Sequence, residues 1–406
     1  MSAHEQQEHQ DLGASGEPGR PDTGVPDEQE QSDPHGWRVF HATGRVPGEP
    51  RPGLPEAPPW RRFRGAPPQP SPPDDEEAAL RRLGSGDAMP QLGEDEIDAV
   101  NAALLLRRPL LVTGPPGIGK STLAYLISRE LGLGRVLEWN IVSRTTLRDG
   151  LHIHDAMGRA QAIAAWQAGL REAASAGTAA AVPADRGAGG AQTAETDTGT
   201  TEIMCENREV MAHQSAPVLG DFITLGPLGT ALLPYDRPRV LLIDELDKSD
   251  IDLPNDLLHV LENGSYDIPE LVRDAADSAL VHTSDPGGRA VVAGGRVECS
   301  EFPVVVITSN GEREFPAAFR RRCLPLDMPT PTREQLLAIV EGHLGASPRD
   351  TEGLVDLFVQ RVQAGGTHSL DQLLNAVQLT TAGGFQAEGG GRKLLEMLLR
   401  DLAKGR

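Results

Sequence analysis

The stretch Gly114-Pro-Pro-Gly-Ile-Gly-Lys120-Ser121 constrains the fold more than any other. It satisfies the pattern G-x-x-x-x-G-K-[ST], with the apolar run Pro109–Thr113 directly before it and the helix-compatible run Thr122–Glu130 directly after. The order reads as strand, loop, helix. Glycines let successive backbone N–H groups turn inward around an anion with no Cβ in the way, at the positive end of the following helix. A polyphosphate fits such a loop, with Lys120 reaching its outer phosphates and the Ser121 hydroxyl ligating Mg²⁺. The alternative is a Gly/Pro turn that binds nothing, and the eight-residue match in its strand-to-helix setting argues against it.

Two further apolar runs end in polar groups suited to the same chemistry. Arg239-Val-Leu-Leu-Ile-Asp244-Glu245 ends in adjacent carboxylates. At the C-terminal end of a central parallel strand, Asp244 can hold Mg²⁺ through its water shell and Glu245 can orient and activate an attacking water. Phe302-Pro-Val-Val-Val-Ile-Thr-Ser-Asn310 reads as a buried β-branched strand whose terminal amide, Asn310, could hydrogen-bond a γ-phosphate or that water. Ala317-Ala-Phe-Arg-Arg-Arg-Cys323 follows. Adjacent arginines usually solvate a helix face; here they also suit a trans-acting arginine finger.

Composition narrows the class. A formal charge of −21 disfavours a general affinity for nucleic acid or an anionic membrane surface. Cys205, Cys299 and Cys323 are scattered without CxxC spacing, which suggests neither a disulfide framework nor a zinc site and suits a reducing cytoplasm. With no N-terminal apolar segment of signal-peptide type and no run of about 18 apolar residues, neither secretion nor membrane insertion is expected.

Fifteen of the 33 prolines lie in the first 75 residues, so residues 1–85 are expected to form a disordered arm that cannot bury enough apolar surface to offset its ordering entropy. Trp37-Arg-Val-Phe40 and Trp60-Arg-Arg-Phe63 interrupt it, either as anchors docking on a folded surface or as chance hydrophobes. Acidic residues open a helix at Glu94 that leads into the phosphate-loop strand, and Arg135–Ile141 reads as a second strand. His152 and His154 form a hydrogen-bonded or solvated pair rather than a metal site, because no third ligand is near. Residues of about 173–201 are Ala/Gly/Thr-rich and read as a surface insertion, and Gly287–Gly295 reads as a hairpin or loop. From Thr332 the chain repeats helical patterns, which implies a small helical bundle.

Together these motifs resemble the AAA+ ATPases. Gly226-Pro-Leu-Gly-Thr-Ala-Leu232, Leu242-Ile-Asp-Glu-Leu-Asp-Lys248 and Pro254-Asn-Asp-Leu-Leu258 are similar to the MoxR-like branch, over about residues 93–380. The resemblance implies an α/β fold, the three-layer α/β/α parallel sheet of a P-loop NTPase. Its large domain would span 93–329, with a C-terminal helical lid at 330–406. It implies ATP and Mg²⁺ as ligands and Mg-dependent ATP hydrolysis. Gly114, Pro115, Pro116, Gly117, Ile118, Gly119, Lys120, Ser121 and Thr122 would hold the nucleotide (Walker A). Ser121 and Asp244 would serve the metal, Asp244 and Glu245 forming Walker B. Asn310 would be sensor 1, and Arg322, with Arg321 second, the arginine finger. A hexameric ring that remodels or activates protein partners is implied, often beside a von Willebrand-type module, in the cytoplasm; no such module is visible in this chain. A low-turnover, nucleotide-dependent assembly switch is the competing expectation. One departure stands out: Gly365-Gly-Thr-His-Ser369 lacks the basic sensor-2 residue, leaving His368 as the nearest substitute.

Overall fold

The computed structural model describes residues 36–48, 51, 53–70, 74–84, 92–179, 216–345, 348–363, 368–381 and 397–398. The chain divides into two units, Met1–Trp37 and Arg38–Arg406; of the first, residues 36 and 37 are described.

In the second unit the strands are β1 (Leu110–Thr113), β2 (Leu137–Asn140), β3 (His152–His154), β4 (Ile223–Leu225), β5 (Val240–Asp244), β6 (Ser265–Asp267), β7 (Ser278–His282), β8 (Arg289–Ala293), β9 (Arg296–Glu298), β10 (Val304–Ser309) and β11 (Leu324–Asp327). Five of them form a sheet in the order β11-β1-β10-β5-β2, with every neighbouring pair parallel. The pleat explains why β1, β5 and β10 are apolar up to their polar last residues: alternate residues face opposite sides, and both sides are covered. Val240, Leu242, Leu110, Val112 and Val306 pack with the helices Glu94–Leu106 and Thr122–Leu131 on one face. Leu241, Ile243, Leu111, Val305 and Ile307 pack with the helix Leu253–Asn263 on the other. The expected α/β architecture is therefore present, a parallel sheet with helices on both faces. Because all five strands point the same way, their polar ends gather at one edge: Thr113 pairs with Ser309 and Asp327, and Asn140 with Asp244.

A second sheet, β3-β4-β7-β8, and the pair β6-β9 complete the strands. β7 and β8 form an antiparallel hairpin, which settles the reading of Gly287–Gly295 in favour of a hairpin. The fully buried Arg239, just before β5, pins that hairpin to the main sheet. Its guanidinium donates to Asp285 at 2.8 and 2.9 Å and to the Arg135 carbonyl at 3.1 Å. The histidine pair lies beside Glu270: His152 Nε2 sits 3.2 Å and His154 Nδ1 3.8 Å from its carboxylate. Among the described residues no group of three metal-ligating side chains forms.

The N-terminal arm requires a correction. Its described part, from Arg38 to Gly84, is a strap laid against the body rather than a disordered segment. Phe40 is completely buried in the core beside Val100, Leu104 and Leu131. Asn101 Oδ1 accepts the Val39 and Phe40 N–H groups at 2.8 and 3.0 Å, and Glu130 accepts those of His41 and Thr43 at 2.6 and 2.7 Å. Arg38 pairs with Glu94 and Asp98, and Phe63 stacks on Phe302 with ring centroids 5.9 Å apart. Trp60 is 75% exposed and anchors nothing. The composition argument failed because the strap builds no core of its own; it fills the body's core at single points and satisfies its backbone with the body's side chains. The strap ends in the helix Glu76–Leu83, capped by Asp75, whose carboxylate accepts from the Ala78 N–H at 3.0 Å. Residues 1–35 of the expected arm lie outside the described residues.

The helix Ala156–Ala179 continues through the start of the expected insertion, and residues 180–201 lie outside the described residues. At the C-terminal end, Arg333–Leu344, Pro348–Gln363 and Leu370–Thr381 pack around Leu336, Val340, Val355, Phe358 and Leu373, forming the expected bundle. Beyond Thr381, residues 397 and 398 are described. Among the described residues no helix is long and apolar enough to cross a membrane.

Candidate phosphate-binding site

The loop from Gly114 to Ser121 joins β1 to the helix Thr122–Leu131, as its spacing requires. Gly114, Gly117 and Gly119 take φ values of 148°, 73° and 94°, which side chains rarely tolerate. Space adds a second restriction at Gly117, where a Cβ would come within 2.4 Å of Ser369 Cβ. The N–H groups of Gly117, Gly119, Lys120 and Ser121 donate to no backbone carbonyl among the described residues. Free donors converging at a helix start are suited to an anion.

Strand geometry brings the other groups to this loop. Asp244 ends β5, next to β10, and β10 lies beside β1. Asp244 Oδ1 accepts from Ser121 Oγ at 2.7 Å and from Thr308 Oγ1 at 2.6 Å. These are hard oxygen donors of the kind Mg²⁺ takes, and Ser121 and Asp244 are the residues that could hold one. Lys120 is 6% exposed, and its ammonium donates to the Gly114 and Pro115 carbonyls at 2.9 and 2.8 Å and to Asn310 Oδ1 at 2.7 Å. Burial holds its pKa below the ordinary lysine value, against the opposing pull of Asp247, Asp244 and Glu245.

Glu245 occupies the left-handed region, at φ 59°, an uncommon place for a residue with a long side chain. Its N–H is held by Thr308 Oγ1 at 2.8 Å. Its carboxylate accepts from Asn310 Nδ2 at 3.2 Å and from Lys248 Nζ at 2.5 Å. That last bond is also the main cause of the raised pKa of Lys248. The structure thus assembles Lys120, Ser121, Asp244, Glu245 and Asn310 around one cleft of about 340 Å³.

Arg322 stands apart. Its guanidinium pairs with Glu262 and donates to the Ala318 carbonyl at 3.1 Å, and it does not line the cleft. His368 does not line it either; it is buried against Phe358, with ring centroids 6.0 Å apart. The bundle's contribution comes from Ile339, His343, Leu370, Asp371 and Leu374.

Sequence reasoning missed several participants. Thr308 links Asp244 to the Glu245 backbone, a role that its place one pleat before Ser309 could have suggested. Asp247, 3% exposed, accepts the Asn310 and Glu312 N–H groups at 3.0 and 3.1 Å and so fixes the loop that carries the amide. Arg81 and Arg82 reach the cleft from the strap, and no local signal announced them. The chain matches no model of a known protein family, and a search of curated proteins finds no match to it.

Proposed function

We propose that the chain binds Mg·ATP in this cleft and hydrolyses it, as a member of the MoxR-like branch of the AAA+ ATPases that remodels or activates partner proteins. The observation that carries the reading is the meeting of Lys120, Ser121, Asp244, Glu245 and Asn310 at the C-terminal ends of three adjacent parallel strands. In this reading the loop N–H groups and Lys120 hold the polyphosphate. Ser121 and Asp244 hold Mg²⁺, which when bound supplies positive charge to the outer phosphates. Glu245 takes the proton from the attacking water, and Asn310, bonded to both Lys120 and Glu245, keeps the two in register. The cation absent from this arrangement is assigned to Arg322 of a neighbouring subunit in a ring, the bundle acting as a lid. A hexamer in the cytoplasm and a client carrying a von Willebrand-type module belong to the same proposal.

Glu245→Gln keeps the shape and loses the base. It is expected to bind fluorescent ATP with wild-type affinity and to hydrolyse it at least about 100-fold more slowly. Wild-type turnover in this variant would place the base elsewhere. Mixing Arg322→Ala with Lys120→Ala subunits is expected to restore activity that neither has alone; absence of complementation would remove the ring assignment.

One observation favours a second reading, a slow nucleotide-dependent assembly switch: both Glu245 carboxylate oxygens are engaged, one by Lys248 and one by Asn310. Single-turnover kinetics separates the two readings. A switch leaves ATP uncleaved while assembly proceeds.

A further inference from the structure

The cleft is wide enough for a ligand with several negative charges, yet its own lining is nearly balanced. Its carboxylates are Asp244, Glu245 and Asp371, and its permanent cations are Lys120, Arg81 and Arg82. Among the described residues the bundle wall supplies neither lysine nor arginine. Lys120 is already bonded to two carbonyls and Asn310. Arg82 is committed as well: its guanidinium pairs with Glu138 at 3.2 Å and lies 5.6 Å from the centre of the Tyr125 ring. Burial works against the Arg82 charge, but Glu138, Tyr125 and, more weakly, Asp244 together hold its pKa above the ordinary arginine value.

Arg81 differs from both. It is exposed and lines the cleft, and no hydrogen bond or ion pair engages it among the described residues. Its position is nonetheless fixed by its helix. Leu83 is buried, Arg82 is tied to Glu138, and Gly84, at φ 85°, caps the helix by donating to the Leu80 carbonyl at 2.8 Å. A Cβ at Gly84 would come within 2.6 Å of the Gly342 carbonyl oxygen, so the helix end abuts the C-terminal bundle. The strap helix is thus wedged between the phosphate-loop helix and the bundle, with Arg81 unengaged among the described residues where the cleft meets the neighbouring pocket beside Asp75, Arg129 and Glu138.

We propose that Arg81 binds the polyphosphate, so that the N-terminal strap provides within the same chain an anion-binding cation that the described part of the bundle does not supply. The proposal rests on the nucleotide reading above. A guanidinium suits the task because its planar fork matches two phosphate oxygens and stays charged at any working pH. The competing account is that Arg81 only complements the negative end of its helix, which adds slightly to stability and nothing to affinity.

The test uses the full chain and titrates fluorescent ATP with Mg²⁺ into wild type, Arg81→Gln and Arg81→Lys, with a melting curve for each. Arg81→Gln is expected to weaken ATP binding about tenfold. The salt dependence of binding should flatten, the melting temperature should stay unchanged, and Arg81→Lys should recover most of the loss. Wild-type affinity in Arg81→Gln overturns the proposal. So does a loss that tracks a lowered melting temperature and is not recovered by lysine. A wild-type chain with no ATP affinity would sink the nucleotide reading itself and this inference with it, an outcome distinct from the other two.

Discussion

Thr308→Val tests whether one buried hydroxyl organises the acidic pair. Thr308 is 1% exposed; its Oγ1 donates to Asp244 at 2.6 Å and accepts the Glu245 N–H at 2.8 Å. Valine keeps the volume and the β-branching while removing both bonds. A hydrogen bond to a charged group contributes about 1.5–3 kcal/mol, and a buried N–H left without a partner costs about 1–3 kcal/mol. Against that sum, Glu245 becomes free to leave the left-handed region, which returns about 1–3 kcal/mol of backbone strain. The net loss is therefore about 1.5–3 kcal/mol, read from urea unfolding. Function should suffer more than stability, because relaxation of the Glu245 backbone moves its carboxylate, and a displacement near 1 Å costs about 100-fold in rate. ATP affinity should change little, since Lys120 and the loop stay in place. Thr308→Ser retains the hydroxyl and should behave nearly as wild type. A Thr308→Val protein within about 0.5 kcal/mol of wild type, the range of ordinary surface substitutions, would refute the reasoning.

Asp285→Ala strands the buried Arg239 guanidinium and should cost about 3–5 kcal/mol in urea unfolding; a loss below about 1 kcal/mol would show that Arg239 finds other partners. Phe40→Ala should cost about 3–5 kcal/mol. Deleting residues 1–84, harmless if the arm were unstructured, should lower the melting temperature; an unchanged melting curve would contradict the strap. In a Cys205→Ser background no thiol should react with a chromogenic disulfide reagent before unfolding. Cys299 and Cys323 are buried, and burial pushes the Cys323 thiol up to about 12 and raises that of Cys299 as well.

β1, β5 and β10 were legible because each is an unbroken apolar run closed by a polar residue at the shared edge, whereas β11, Leu324–Asp327, is short, interrupted by Pro325 and only partly buried, and was not expected. Asp244 and Asn310 were found by that rule, and Lys120 by the spacing of the glycine loop. The strap was illegible because its contribution rests on isolated contacts such as Phe40 in the core and Glu130 under its backbone, while its average composition reads as linker. β3 and β4 escaped because three-residue strands carry no measurable alternation. Arg81 could not be assigned from sequence, since its position depends on the strap folding back onto a helix more than forty residues later.

The strap also sets an order of events on the ribosome. Val39 bonds to a residue 62 positions later, His41 to one 89 positions later, and Arg64 to one 234 positions later. The Gly65 N–H donates to the Cys299 carbonyl, and that of Gln69 to the Pro234 carbonyl. The strap therefore leaves the exit tunnel before its docking surface exists: its first part waits for residues up to Glu130, and its second part for Cys299 and Phe302. Phe63 has no ring to stack on until Phe302 is made, so a pause in translation between residues 131 and 300 would prolong the period in which nascent chains can associate or recruit chaperones.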